Sequence, residues 1–570
     1  MRRFTADFET NNYGDRANVW AWGVCEIGAP DNFMYGNNID DFILFCYKQK
    51  SNIQLYFHNL KFDGEFIFYY LLTHGYTYIK DKKDRQDKTF TTLISSLGQF
   101  YSIEIYFEVK EKKIKKVTIY DSLKIINMSV EKIAKDFKLP ILKGEIDYSL
   151  IREEGHELTD EEVTYLRNDV EIMSRALDIM FNEGLTKMTI GSDALSFYKD
   201  INQNFINYFP ILDYNVDASI RQSYKGGFTY LNPIYKDKVV DNGIVLDVNS
   251  LYPSVLYNER IPIGLPVYFA GKYQDNKLYD LYIQRISCIF KIKEGKIPTI
   301  QIKGQERYFV PNEYLESSEG EIVVLTLTNI DLKLFLEHYE VFELEYIDGF
   351  MFKSQSGLFK TYIDYWSNKK IEAKKEGNDA IYKISKLMLN SLYGKFGLNP
   401  NVRSKYPCLE DDKIRYVMHD PETRDPIYIP VATFVTSYAR NKTIRTSQKI
   451  RDYTIQNYGK DFYIYSDTDS IHMLKMKEEE LKRFVDIDDY ILGYWKLESE
   501  FVQGKFLRQK CYIEKSVDGK INVTVAGLPK FLGDKITFEN FKEGFTAKGK
   551  LTFGHVNGGV ILKETDFTIK

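Results

Sequence analysis

Tyr465-Ser466-Asp467-Thr468-Asp469-Ser470 constrains this chain more than any other six residues. Apolar segments enclose the run, Phe462-Tyr463-Ile464-Tyr465 before it and Ile471-His472-Met473-Leu474 after it. That is the pattern of two short strands joined by a tight turn. Residues two apart on a strand face the same side, so Asp467 and Asp469 are expected to converge on one side of a β-hairpin. Converging carboxylates repel unless a cation lies between them, and an all-oxygen donor set suits Mg²⁺.

Other segments supply what such a hairpin lacks. Asp247-Val248-Asn249-Ser250-Leu251-Tyr252-Pro253 follows a strand, Ile244 to Val248, and puts an acid at its end before a sharp turn that Pro253 is expected to close off from regular structure. Asp247 is a candidate third carboxylate, with the Val248 carbonyl as a further oxygen ligand. Backbone N–H groups of the turn, that of Leu251 included, suit triphosphate oxygens, and the Tyr252 ring would lie beneath an incoming sugar and exclude a 2′-hydroxyl. Lys386, Asn390 and Tyr393 are spaced i, i+4, i+7 and share one helical face. There the lysine can hold phosphates while Tyr393 closes over the base pair, and Lys370, in the same helical region, is a second phosphate candidate. Lys510-Cys511-Tyr512 sets a lysine and an aromatic ring on one strand face. In Tyr224-Lys225-Gly226-Gly227 the glycines permit close approach to a nucleic-acid strand.

A second set of acids lies upstream. Asp7 and Glu9 are two apart on one strand; Asp63 ends His58-Asn59-Leu60-Lys61-Phe62-Asp63; Tyr165 and Asp169 are four apart on a helix opened by the capping box Thr159-Asp160-Glu161-Glu162. With 81 acidic residues in the chain, an isolated Asp-x-Glu pair says little. The ordered combination says more, because four carboxylates can hold two divalent ions roughly 3.5–4 Å apart and activate a water, which Tyr165 would orient.

A chain of 570 residues exceeds one core and implies roughly three to five domains. Net charge is −4, so no global basic field marks a nucleic-acid partner, although clustered acids can offset a local basic groove. The five cysteines are scattered without a CxxC pair, favouring reduced thiols over zinc or disulfides. No apolar run approaches ~18 residues, so a soluble intracellular protein is expected. Residues 1 to about 187 read as α/β, with strands near 3–9, 18–26 and 54–57 and a hairpin from Tyr101 to Ile119 across a lysine-rich loop. Further on come a helical stretch over 359–393, a turn-rich stretch over 397–427 and a helix over 431–450.

Taken together, Asp7-Phe8-Glu9-Thr10, His58 to Gly64, Tyr165 to Asp169, Tyr224 to Gly227, Asp247 to Pro253, Lys386 to Gly394, Tyr465 to Ser470 and Lys510 to Tyr512 resemble the family B DNA polymerases. More narrowly they resemble the protein-primed replicases of small tailed Bacillus phages, the phi-twenty-nine type, along essentially the whole chain. The upstream acids resemble the DEDD 3′–5′ exonucleases with a tyrosine in the third motif. The resemblance implies an α/β and α+β multidomain fold, an RNase H-like exonuclease followed by a right-hand polymerase. Its parts would be an exonuclease over 1–187, palm over 188–257 and 428–525, terminal-protein-region insertions over 258–357 and 397–427, fingers over 358–396 and thumb over 526–570.

It further implies that Thr10, His58, Asn59, Phe62, Ser122, Leu123 and Tyr148 grip a single-stranded 3′ end, with Phe62 and Tyr148 as stacking faces, and that Tyr224, Gly226, Gly227 and Tyr512 contact DNA. Lys143 would neutralise the scissile phosphate, and Glu145 stands at a peripheral metal position where close relatives have Asp. Asp247, Asp467, Asp469 and the Val248 carbonyl would hold two Mg²⁺, as would Asp7, Glu9, Asp63 and Asp169, with Mn²⁺ as a substitute. Lys370, Lys386 and Lys510 would serve the nucleotide and primer terminus. Implied partners are template-primer DNA, dNTPs, a terminal protein that supplies the priming hydroxyl and a single-stranded DNA-binding protein. The protein would act as a monomer or a heterodimer with that terminal protein in the bacterial host cytoplasm. Competing readings are a polymerase of another lineage, such as a linear plasmid, a nuclease with an inactive palm, and an RNA polymerase. Intact acids at 247, 467 and 469 oppose the second and Tyr252 opposes the third.

Overall fold

Alternating apolar residues in the first 121 positions build the centre of a ten-stranded mixed sheet in the computed structural model, which describes residues 1–111, 113–147, 150–301 and 314–570. Strand Arg2–Tyr13 pairs antiparallel with Arg16–Glu26 and parallel with Ile53–Phe57, which in turn lies parallel to Lys113–Asp121. Helix Asp160–Asn182 packs on the first two of these strands. It begins at the expected capping box, Thr159 and Glu162 each satisfying the other's backbone N–H. Its approach depends on Gly23, where a Cβ would come within 2.7 Å of Leu166 Cγ.

The stretch over 397–427 is more ordered than its turn-rich composition suggests. Strands Ser404–Glu410 and Lys413–Met418 form a hairpin that extends the N-terminal sheet through Thr89–Ser95. Asp411 and Asp412, both at positive φ, make the two-residue turn whose twist matches its strands. The expected helical stretch over 359–393 is two helices, Lys360–Glu376 and Asp379–Phe396. Gly377 at φ +70 ends the first, and the Asn378 side chain caps the second by accepting the Ile381 N–H.

A seven-stranded antiparallel sheet carries the later motifs, in the order Ile521–Val525, Cys511–Ser516, Trp495–Arg508, Val239–Val248, Ser470–Leu474, Tyr463–Asp467, Thr229–Leu231. Helix Ile429–Tyr458 packs on it and is longer than the expected 431–450. Pro430 sits in its first turn, where no N–H partner is needed, and Gly459 at φ +64 closes its end. Pro253 also differs from expectation. It is the third residue of helix Leu251–Asn258, and so begins regular structure rather than halting it.

Between these parts, strands Ile261–Ala270, Tyr339–Gln355, Leu281–Ile292 and Val323–Thr328 make a separate sheet backed by helix Asn329–His338. The C-terminal hairpin, Thr546–Val556 with Gly559–Thr568, returns to the N-terminal sheet. There the Ala17 N–H donates to the Asn557 carbonyl at 2.9 Å, and only glycine fits at 558, where a Cβ would meet the Ala17 oxygen at 1.9 Å. Among the described residues no helix is long and apolar enough to cross a membrane.

Two candidate active sites

The upstream acids meet on the N-terminal sheet. Asp7 and Glu9 share one face of strand Arg2–Tyr13, Asp63 sits in the first turn of helix Leu60–Thr73, and Asp169 comes from helix Asp160–Asn182. Carboxylate oxygens of Asp7, Glu9 and Asp169 lie within 4.8 Å of one another. Burial, with the Asp169 charge added, pushes Asp7 up to about 7 against the pull of Lys143. Burial and the Asp7 charge likewise hold Glu9 and Asp63 well above the usual carboxylate range. Lys143 Nζ is 2.5 Å from Asp169 Oδ2 and lies over the Tyr165 ring at 5.7 Å. Asp169 Oδ1 is buried with no hydrogen-bond partner. Asp7, Glu9 and Asp169, all pushed toward protonation and one with an orphaned oxygen, fit a divalent cation, which would displace their protons and relieve their repulsion. Asp63 feels the Asp7 charge but lies outside the group within 4.8 Å.

Of the predicted strand-gripping residues, Thr10 lies on the strand of Glu9, and Asn59 and Phe62 lie at the start of the helix that carries Asp63. His58 places Nδ1 3.0 Å from Ser122 Oγ and Nε2 2.7 Å from the Met128 carbonyl. Asn59 holds φ +77, and its N–H donates to Asp121 Oδ1, as does the N–H of Leu123, each at 3.0 Å. The sequence reading missed Asp121. Its signal is an Asp closing an apolar strand just before Ser122, the arrangement that makes an Asx turn. Thr10 follows Glu9 across a β-bulge. Phe62 packs against Phe66 and against Phe553 of the C-terminal hairpin, 6.0 Å away. Glu145 stands apart from the clustered acids and lines a cavity of about 350 Å³ with Gly144, Asp160 and Tyr165. Tyr148 lies outside the described residues.

The second set of acids gathers on the seven-stranded sheet, by a route the strand periodicity did not give. Asp467 ends its strand opposite Ser470, but Asp469 lies in the two-residue turn beyond it, where Thr468 takes φ +60. The two acids therefore do not share a strand face. Turn geometry brings them together, Asp469 N–H donating to the Asp467 carbonyl at 2.7 Å and Val248 N–H to the Asp469 carbonyl at 2.8 Å. Asp247, on the neighbouring strand, pairs in register with Ser470 on one side and Lys496 on the other. Burial, then the charges of Glu498 and Asp469, push Asp247 up to about 7, and Lys496 opposes them. Burial also raises Asp469, with Asp467 and Glu498 adding to it. Asp467 is held by the Thr229 hydroxyl at 3.2 Å, the Tyr465 hydroxyl at 3.4 Å and Lys510 Nζ at 3.5 Å.

Lys496 and Glu498 were also missed. They alternate in Trp495-Lys496-Leu497-Glu498, a pattern readable only once strand Trp495–Arg508 is known to border Asp247. Lys496 Nζ is 3.7 Å from Asp247 Oδ1. Burial lowers the Lys370 pKa, and the nearby charges of Lys386 and Lys496 lower it further. Lys370, Lys386 and Lys496 thus lie near enough to feel one another's charge. Asn390 is exposed on the same helix as Lys386, and Tyr393 packs on Tyr252 with ring centroids 4.0 Å apart and the rings tilted by 30°. Leu251, buried, opens the helix after Asp247 and Val248. Gly227 lies against the acid turn, since a Cβ there would meet Thr468 Oγ1 at 2.4 Å. Arg440 holds the Lys225 and Gly226 carbonyls at 2.9 and 2.8 Å, and Tyr224 lies against Gly397. Tyr512 packs on Tyr465 and Phe506 beside Lys510.

Comparison with known proteins decides what this pairing of sites belongs to. Residues 46–484 match the family of DNA polymerases of type B, organellar and viral. The chain belongs to the type B DNA polymerases. It is 46% identical to the DNA polymerase of Bacillus phage M2 over the full length of both chains, and 43% identical to that of Bacillus phage phi29, covering 100% of this chain and 99% of the other. The phi29 polymerase solved with primer-template DNA and incoming nucleotide superposes with a TM-score of 0.92, at 42% identity and complete coverage of both chains. This polymerase is thus a DNA-directed DNA polymerase of the phage type, with the multidomain architecture of its relatives.

Proposed function

We propose that this polymerase extends DNA at the Asp247–Asp467–Asp469 site, removes misincorporated 3′ nucleotides at the Asp7–Glu9–Asp63–Asp169 site, and starts synthesis on a hydroxyl of a terminal protein. The observation that carries the two-site reading is the separation of the acids into two clusters on different sheets, each with a lysine against it. The proposed division is the exonuclease over 1–187, palm over 188–257 and 428–525, insertions over 258–357 and 397–427, fingers over 358–396 and thumb over 526–570.

In the polymerase site Asp247, Asp467, Asp469 and the Val248 carbonyl would hold Mg²⁺, and in the editing site the four upstream acids would. Bound there, such ions neutralise phosphate charge and lower the pKa of an attacking oxygen. Lys370, Lys386 and Lys496 draw in the triphosphate, while Tyr252, braced by Tyr393, forms the floor beneath the sugar. Lys510 and Tyr512 steady the primer terminus beside Asp467. In the editing site Lys143 faces the scissile phosphate from the Asp169 side, Tyr165 orients the water, and Phe62 stacks a frayed base.

Asp469→Ala tests the two-site reading. Nucleotide incorporation is expected to vanish while degradation of a single strand persists; equal loss of both in a folded variant overturns it. Protein priming draws support from the likeness to phage relatives and from the extra sheet over 261–355. Incubation with the terminal protein of its own genome, labelled dATP and Mg²⁺ is expected to yield a covalent protein–nucleotide adduct. No adduct from an enzyme that extends DNA primers would refute priming. The setting proposed for this chemistry is the bacterial host cytoplasm, with a single-stranded DNA-binding protein as an accessory partner.

A further inference from the structure

Beside the editing cluster the fold buries a guanidinium that no step above uses. Arg152 is only 6% exposed. Its Nε bonds Glu162 Oε1, and its Nη1 donates to the carbonyls of Asp147 at 2.8 Å and Leu150 at 3.2 Å. The guanidinium lies 4.8 Å over the Trp20 ring, and the Arg152 carbonyl accepts from Asn11 Nδ2. Glu162, also buried, accepts from His156 Nε2 at 2.8 Å and the Thr159 N–H at 3.0 Å. Burial alone would raise the Glu162 pKa, but the Thr159 N–H, Arg152 and His156 outweigh it and hold the group down at about 2.

A buried charge is costly unless fully paired, so this one needs a reason in geometry. Its partners supply one. Asn11 lies two residues beyond Glu9 on the same strand; Trp20 neighbours Ala21, the cross-strand partner of Glu9. Glu162 is three residues before Tyr165 and seven before Asp169 on one helix. Asp147 and Leu150 belong to the segment that begins near Lys143, and the described residues between 141 and 158 contain neither helix nor strand. Without a ladder or helix to fix it, that segment must still deliver Lys143 to within 2.5 Å of Asp169.

We infer that Arg152, locked by Glu162, is a positioning residue for the editing site: it ties the irregular segment carrying Lys143 to the strand of Glu9 and the helix of Tyr165 and Asp169. The inference rests on the exonuclease reading of that site. Arg152→Met keeps most of the volume and removes the Nη1 hydrogen bonds to the Asp147 and Leu150 carbonyls. Removal of such supporting contacts typically lowers activity about 10- to 100-fold.

The test measures single-strand degradation and primer extension for the wild type, Arg152→Met, Arg152→Lys, Lys143→Ala and the Arg152→Met/Lys143→Ala double variant, all with Mg²⁺. Arg152→Met should lower the kcat of degradation about 10- to 100-fold with extension within about twofold of wild type. Arg152→Lys, keeping charge without the planar fork, should recover part of the loss. Because Arg152 acts through Lys143, the double variant should be within about threefold of Lys143→Ala alone. Multiplicative losses in the double variant, or unchanged degradation in Arg152→Met, overturn the inference. If Arg152→Met also loses extension or fails to fold, Glu162→Gln takes its place and must show the same selective, non-additive loss; otherwise the inference falls. A wild type that extends primers but never degrades a single strand sinks the exonuclease reading itself, a result distinct from any of these.

Discussion

Replacing Asp7 by Asn should make the metal-free polymerase more stable while abolishing editing. In the fold, burial and the charge on Asp169 raise Asp7 from its ordinary 3.8 to about 7. The charged form is therefore disfavoured by about three pH units, worth at most roughly 4 kcal/mol at about 1.36 kcal/mol per unit. Asp7 keeps part of its surface open to solvent, and screening reduces the realised penalty to about 1–2 kcal/mol. The sign follows from linkage. The penalty is absent below the unfolded pKa, grows as pH rises from 3.8, and is complete above about 7. Neutral, nearly isosteric Asn removes it. In EDTA at pH 8 the unfolding transition of the N-terminal sheet should rise by about 3–6 °C in Asp7→Asn. At pH 5 only about a third of that gain should remain, and with Mg²⁺ at pH 8 the order should reverse, since the wild-type acids would bind the ion. Thermal scans in EDTA at the two pH values, beside a single-strand degradation assay with Mg²⁺, measure all of this. A variant less stable than wild type at pH 8 in EDTA, or a gain that does not shrink at pH 5, would show that the acids are not held under mutual strain.

Lys496→Ala removes one of three crowded ammonium groups and the cation 3.7 Å from Asp247. The KM for dNTP in primer extension should rise about tenfold, equivalent to about 1.4 kcal/mol, with single-strand degradation unchanged; an unchanged KM would remove Lys496 from the proposed triphosphate contacts. His555 of the C-terminal hairpin faces the buried Glu65 carboxylate of the N-terminal region at 3.3 Å, beside Tyr416 of the 404–418 hairpin. His555→Ala should leave single-nucleotide incorporation within about twofold while shortening the products made per binding event in the presence of a heparin trap. Products of wild-type length would mean that this three-way junction does not hold the hairpin against the N-terminal sheet.

Much of the site was legible because its residues sit in local patterns. The capping box at Thr159 fixed where its helix starts, and i, i+4 spacing then placed Tyr165 and Asp169 on one face. Asp7 and Glu9 obeyed strand periodicity. Lys386, Asn390 and Tyr393 lie on one helix as expected, though the helical region proved to be two helices because Gly377 takes a left-handed conformation. The same periodicity misled at Asp467 and Asp469. A two-residue turn breaks the alternation at Thr468, and strand spacing cannot reveal where a turn begins.

What the sequence alone supplied, then, was the candidate groups: two sets of acids, their lysines and rings, and the family they resemble. The tertiary structure decided which groups share a space. Lys496 and Glu498 carry no short-range signal, and Asp121 shows only a local Asx turn; each matters through a neighbour distant in the chain. Asp121 joins two turns across the N-terminal sheet, and the other two reach Asp247 from a strand almost 250 residues later. The hexapeptide at 465–470 named its two candidate acids by itself, but the adjacent strand of Asp247 and the left-handed Thr468 set how they meet. Local sequence encodes turns, caps and periodicity, because those depend on neighbouring dihedrals. Which carboxylates lose water and feel one another's charge depends on strand order and burial, and those exist only once the chain has folded.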